Sequence, residues 1–98
     1  MLTTYDADAD ALYVQFSEHA VSRTDEVGPD VFIDVDSEGA AVGVEVLHPA
    51  RPWSTREILN RYRISAEDRA LFGAMFPDTA IEGHPAPFSQ VAQYAEAV

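Results

Sequence analysis

Over residues 2–47 the chain alternates apolar and polar positions with a period of two, the mark of strands that bury one side. The clearest segments are Val31-Phe32-Ile33-Asp34-Val35 and Val42-Gly43-Val44-Glu45-Val46, in which a β-branched residue recurs at every second position. Asp36-Ser37-Glu38-Gly39 supplies a turn between them. Residues 2–5 suit a short first strand. Asp6-Ala7-Asp8-Ala9-Asp10 ends it, being poor in β-formers and rich in turn-forming aspartates. Leu12-Tyr13-Val14-Gln15-Phe16 is the next strand, with Leu12, Val14 and Phe16 on one face. A turn over residues 17–20 leads into a strand over 21–27, and Gly28-Pro29 breaks the chain before Val31. Such short connections favour an up-and-down antiparallel meander of four to five strands.

The pattern also makes a register expectation. With Val35 opposite Ala40, Ile33 meets Val42 and Val31 meets Val44, all on one face with Val46. Phe32 then lies across from Gly43, where an aromatic ring can cover bare backbone, and Asp30 lies across from Glu45. This second face carries Tyr13, Phe32, Asp34 and Glu45 and is largely polar. The strand over 21–27 admits two facings. Either Val21, Arg23, Asp25 and Val27 face the core, with an Arg23–Asp25 pair partly covered, or a bulge turns Ser22, Thr24 and Glu26 inward. The terminal valines favour the first.

After Leu47 the period changes. His48-Pro49-Ala50-Arg51-Pro52 is a two-proline link, and Ser54-Thr55-Arg56-Glu57 has capping-box spacing. Ile58, Leu59 and Tyr62 form the stripe of a short helix that ends near Arg63. Ser65-Ala66-Glu67-Asp68 caps a second helix with Leu71, Phe72, Met75 and Phe76 as its stripe, ended by Pro77. Both helices are expected on the valine-rich sheet face, which cannot stay wet. Gly83-His84-Pro85-Ala86-Pro87 is a link, and residues 89–97 are helix-compatible, either frayed or docked on a neighbouring subunit. The expectation is a single α+β domain over 1–98: a sheet over 1–48, a helical extension over 49–77 packed on one face, and a tail over 78–98.

Composition narrows the function. A chain of 98 residues with 47% hydrophobic content can bury a core without staples. With no cysteine, disulfides, thiolate chemistry and cysteine-ligated metal sites are excluded. The first residues lack the basic and apolar regions of a signal peptide, and no apolar run approaches the ~20 residues a membrane span needs, so a cytoplasmic protein is expected. Charge changes the picture more. Seventeen acids stand against six bases, all arginine, for a net charge of −11. Residues 1–48 hold eleven of the acids and one arginine; residues 49–98 hold six and five. Such a field repels phosphate backbones, which argues against autonomous nucleic-acid binding, and steers a basic partner inward.

Candidate chemistry is sparse. Asp6-Ala7-Asp8-Ala9-Asp10 copies the opening ligand positions of an EF-hand loop, but Ala11 and Ser17 stand where the glycine and glutamate should be, so turn-capping aspartates are the better account. Asp34, Glu45 and Asp30 could share a proton or hold a hard cation, although alternating acids usually mark a solvated face. Their like charges call for arginines from the second half or from a partner. His19, His48 and His84 fall in three separate loops without ligand spacing. No serine sits in a nucleophile elbow, and no glycine-rich loop could cradle phosphate. Trp53, Tyr62, Phe72 and Phe76 suit a helix–sheet core better than a ligand box.

Tyr5-Asp6, Ala9-Asp10-Ala11-Leu12-Tyr13, Thr24-Asp25-Glu26-Val27, Asp34-Val35-Asp36, Gly39 and Val42-Gly43-Val44-Glu45-Val46-Leu47 fall in a characteristic order. Over about residues 3–48 the chain resembles DUF2283, a small bacterial family of unknown function. The resemblance carries no catalytic residues and no cofactor, and implies a partner-binding, antitoxin-like role. The leading expectation is a non-enzymatic, oligomeric interaction module for a basic protein partner, using Tyr13, Phe32, Asp34, Glu45 and Arg23. One rival is a small enzyme or metal-binding protein in which Asp34, Glu45, Arg23 and a histidine converge. Another is a homo-oligomeric structural protein.

Overall fold

Val31, Ile33 and Val35 are buried while Phe32 and Asp34 between them are half-exposed, so the strand has one dry and one open side. The computed structural model describes residues 1–78 and the backbone of 96–97. In chain order the elements are β1 (Leu2–Asp6), β2 (Ala11–Gln15), β3 (Arg23–Gly28), β4 (Val31–Val35), β5 (Ala41–Leu47), α1 (Thr55–Arg61), α2 (Ala66–Met75) and β6 (Glu96–Ala97). Helices and sheet form the expected α+β architecture, with five antiparallel strands and both helices packed on one face.

The strand order is β3-β4-β5-β2-β1-β6. Consecutive pairing holds for β1–β2, β3–β4 and β4–β5, but between β2 and β3 the meander gives way and β2 pairs β5 instead. Burial explains the exchange. A plain meander would put the charged strand β3 in the middle and the valine-rich β5 at the edge. The observed order puts β3 at the edge and leaves Leu12, Val14, Val44 and Val46 at the centre, each at most 1% exposed. Residues 16–22 make the crossing along the end of the sheet. Phe16 N and Ser17 N donate to Val42 O, and Ser22 N donates to Val35 O.

The β4–β5 register differs from the expected one by two residues. Val31 faces Val46, Ile33 faces Val44, Asp34 faces Gly43 and Val35 faces Ala41, with a bulge next to Val35. Phe32 therefore lies opposite Glu45 rather than Gly43, and Asp30 lies beyond Glu45, its carbonyl accepting from Leu47 N. The turn dictates this. Asp36 Oδ1 accepts from Glu38 N at 2.9 Å and Ala40 N at 3.0 Å, and Gly39 takes a φ of 85°. Ala40 is thus held in the turn, and Val42 becomes the extra residue of the bulge. Val42 is buried but lies outside the main core, where Ala41 takes the place expected for Ala40.

On β3, Arg23 faces Val35 and Asp25 faces Ile33, so the first facing holds, and Val27 packs on the core. Val21 does not follow, being 50% exposed ahead of the strand. A bulge between Glu26 and Gly28 is present, but it does not turn the strand over.

The helical half closes the dry face. Ser54 Oγ accepts from Glu57 N at 3.1 Å and Ser65 Oγ from Asp68 N at 3.2 Å, the two expected caps. Asp78 adds a cap from the far side of α2: its carboxylate accepts from Thr55 N at 3.0 Å and Arg56 N at 3.1 Å. Phe72 meets Phe16 edge-on at 5.4 Å and lies 5.6 Å from Phe76, while Trp53 closes over both. Each such fully buried side chain stabilises the fold by roughly 1.5–3 kcal/mol. Leu71 departs from its expected place in the α2 stripe and is 45% exposed. Phe72 and Phe76, one turn apart, set the buried line, and Leu71 lies about 100° off it.

Most of the region expected to be helix-compatible, 89–97, lies outside the described residues, as does His84. Within it, Glu96–Ala97 is strand rather than helix, paired in parallel with Thr4 and Tyr5 of β1. β1 would otherwise be an open edge, and a short strand covers part of it.

Candidate interaction face

The side of the sheet away from the helices is built in rows fixed by register. One row reads Thr4, Tyr13, Glu45, Phe32 and Glu26 across β1, β2, β5, β4 and β3; the next reads Leu2, Gln15, Gly43, Asp34 and Thr24. Tyr13 is the pivot. Its ring crosses Gly43, where a Cβ would overlap the phenol, and its hydroxyl donates to Asp34 Oδ2 at 2.8 Å. Thr24 Oγ1 donates to Asp34 Oδ1 at 2.6 Å, so the carboxylate is held from both sides by neutral donors. Burial, then the Asp34 hydrogen bond and the nearby Asp34 and Glu45 charges, push the Tyr13 pKa well up, and it stays a phenol.

Among the described residues, no arginine offsets these acids. Arg23 pairs with Asp25 at 3.1 Å, Arg51 with Asp30 at 3.6 Å, Arg56 with Asp78 at 4.0 Å and Arg61 with Glu57 at 3.2 Å. Arg63 donates to Glu38 O and Arg69 to Leu59 O. These are all six arginines. Among the described residues, the side chains of Glu26 and Glu45 make no hydrogen bond or ion pair, and half-buried Phe32 lies between them.

Of the residues expected on this face, Tyr13, Phe32, Asp34 and Glu45 are brought together. Arg23 is not: its register opposite Val35 places it on the helix side, beside Asp25, which also accepts from Tyr62 Oη at 2.9 Å. The histidines do not converge with these acids either. His19 Nδ1 lies 3.1 Å from Asp36 Oδ2 at the β4–β5 turn, and His48 Nδ1 lies 3.0 Å from Asp10 Oδ2 at the opposite end of the sheet. Among the described residues no group of three His, Asp or Glu side chains could hold a metal ion. The 6–10 segment is a turn, with Asp6 Oδ1 accepting from Asp8 N and Ala9 N. Among the described residues no helix is long and apolar enough to cross a membrane.

The family described as "Protein of unknown function (DUF2283)" matches residues 3–48. This stretch of the chain is similar to that family. No curated protein and no solved structure matches the chain. The matched stretch ends one residue past β5, so it spans β1 to β5 and none of the helical cover. Its motif residues have physical roles here. Tyr13, Gly43, Asp34 and Thr24 make the pivot, and Asp36 with Gly39 makes the tight turn. Tyr5 Oη donates to Asp10 Oδ1 at 2.7 Å, and the His48 ring takes the other oxygen of that carboxylate. Sequence reasoning missed this last cluster, because Asp10 and His48 are distant in the chain and meet only when β5 lies beside β2.

Proposed function

We propose that the DUF2283-like sheet, in this chain, is an interaction module whose open face docks a basic protein partner. The supporting observation is the uncompensated row Glu45-Phe32-Glu26 beside Asp34 and Tyr13: acids and aromatics together, with every arginine of the chain engaged elsewhere. Phe32 and Tyr13 supply apolar contact, and the flanking carboxylates supply steering and register for arginine or lysine side chains. The edge strand β3 extends the surface with backbone groups that an incoming strand could pair. A second copy of the chain does not fit this face, since like charges would meet. An antitoxin-like role, in which the partner is a small basic toxin, is the finer form of the proposal and follows from the family resemblance.

The test is purification of the native complex at low salt, followed by cross-linking and charge reversal. A basic partner should cross-link to β3, β4 or β5, release as salt rises, and lose about tenfold in affinity with Glu45→Arg. A partner that cross-links to the helices and is indifferent to Glu45→Arg would refute the proposal.

A further inference from the structure

Two cavities adjoin where β3 turns into β4 and β5 runs into the helical half. One, of about 210 Å³, lies between that turn and the start of α1; the other, of about 280 Å³, has His48, Arg51 and Asp30 in its wall. Pro29, Val31, Pro52 and Trp53 line both, so one apolar wall serves the pair. Each is smaller than the roughly 300–1,000 Å³ of pockets for drug-sized ligands, and suits a smaller molecule.

The polar rim is unusual in its backbone. Asp10, Asp30 and His48, with φ of 50°, 64° and 54°, are the three non-glycine residues with positive φ among those described, and all three gather here. His48 N donates to Asp10 O, Leu47 N to Asp30 O and Arg51 N to His48 O, each at 2.8 Å. Left-handed conformations of this kind are unfavourable for non-glycine residues and persist where the surroundings over-determine them.

The side chains so placed are unequally spent. The Asp10 carboxylate is taken by Tyr5 and by His48 Nδ1; in the neutral imidazole whose Nδ1–H donates to Asp10, Nε2 is the acceptor. Asp30 and Arg51 meet only loosely, at 3.6 Å against the roughly 2.7–2.9 Å of a charge-assisted hydrogen bond, and the Arg51 side chain is 69% exposed. A lone anion would enter against a net charge of −11. A lone cation would take Asp30 and leave the guanidinium without its carboxylate. A zwitterion meets both groups and leaves the local charge unchanged.

From this geometry we infer that the site binds a small zwitterion with an apolar side chain, of the chemical class of the aliphatic α-amino acids. Its carboxylate takes Arg51, its ammonium takes Asp30 and His48 Nε2, and its side chain lies on Val31, Val46 and Trp53.

Trp53 is the single tryptophan of the chain and lines both cavities, so its emission reports on the site directly. The full chain is titrated with leucine, with its decarboxylated analogue 3-methylbutylamine and with its deaminated analogue 4-methylpentanoate. Leucine should shift Trp53 emission saturably, and each analogue should bind about tenfold more weakly. Arg51→Ala, at an exposed position, should weaken leucine about tenfold, as should Asp30→Asn, since asparagine tolerates the left-handed backbone. Glu45→Arg, on the open sheet face, should change nothing. No saturable response to leucine, equal binding of either analogue, or an unchanged affinity in Arg51→Ala would each overturn the inference.

Discussion

The ring of Tyr13 lies across the bare Cα of Gly43, and this contact joins β2 to β5 on the open face. A methyl group at position 43 has no room unless the phenol leaves, and leaving breaks its hydrogen bond to Asp34. Gly43→Ala should therefore destabilise the fold by about 1–3 kcal/mol, read as a fall in Tm or urea midpoint. Adding Tyr13→Ala to Gly43→Ala should cost much less than the two single changes together. Additive costs would show that the two residues do not share one space.

Asp78 reaches back to cap α1, a helix of seven residues that is too short to stand alone. Removing that carboxylate strands two backbone donors. Asp78→Ala should lower stability by about 1–2 kcal/mol, and Asp78→Asn, which keeps an acceptor, by less. Chemical denaturation of the three proteins side by side checks the order.

Phe72 is the hub of the aromatic group and is fully buried. Phe72→Ala should cost about 3–5 kcal/mol, while Leu71→Ala, one residue earlier and 45% exposed, should cost a small fraction of that. Thermal melts of the pair would separate the dry line of α2 from its wet side.

Acid should unfold the protein through a few identifiable carboxylates. Asp36 is held below its ordinary value by the His19 hydrogen bond and then by the backbone N–H of Ala40; Asp10 by Tyr5 and His48; Asp25 by Tyr62 and Arg23. A lowered folded-state pKa gives stability that is complete above the unfolded value of about 3.9 and is lost as pH falls through the folded value. Urea melts from about pH 7 down to about pH 2 should show a decline that begins near pH 4. Asp36→Asn keeps the turn's acceptor and removes the charge, so its stability should fall less steeply over the same window.

The two-sided sheet was legible because Val31, Ile33, Val35, Val44 and Val46 repeat at period two, and local alternation alone decides which side is dry. The caps at Ser54 and Ser65 were legible for the same reason, since their partners lie three residues away. The register was not. It depends on how Asp36 folds the turn and forces Val42 into a bulge, and residues 36–39 read as a turn without showing that Ala40 is held inside it. The pairing of β2 with β5, the Asp78 cap and the Asp10–His48 contact all join residues more than twenty apart. Leu71 looked like core because it is apolar, while the line through Phe72 and Phe76 passes beside it. Of the interaction face, four residues followed from alternation. Arg23 fell to the other side because β3 keeps parity with Ile33 and Val35.

One face of the sheet is dry and structural; the other is acidic and open, the face proposed to dock a basic partner. Residue-resolved NMR of the whole chain, titrated with an arginine-rich peptide at low and then high salt, tests it most directly. The account predicts shifts concentrated at Tyr13, Phe32, Asp34, Glu45 and along β3, erased by salt and by Glu45→Arg. Shifts centred on the acids of α1 and α2, or spread evenly over every exposed carboxylate, would contradict it.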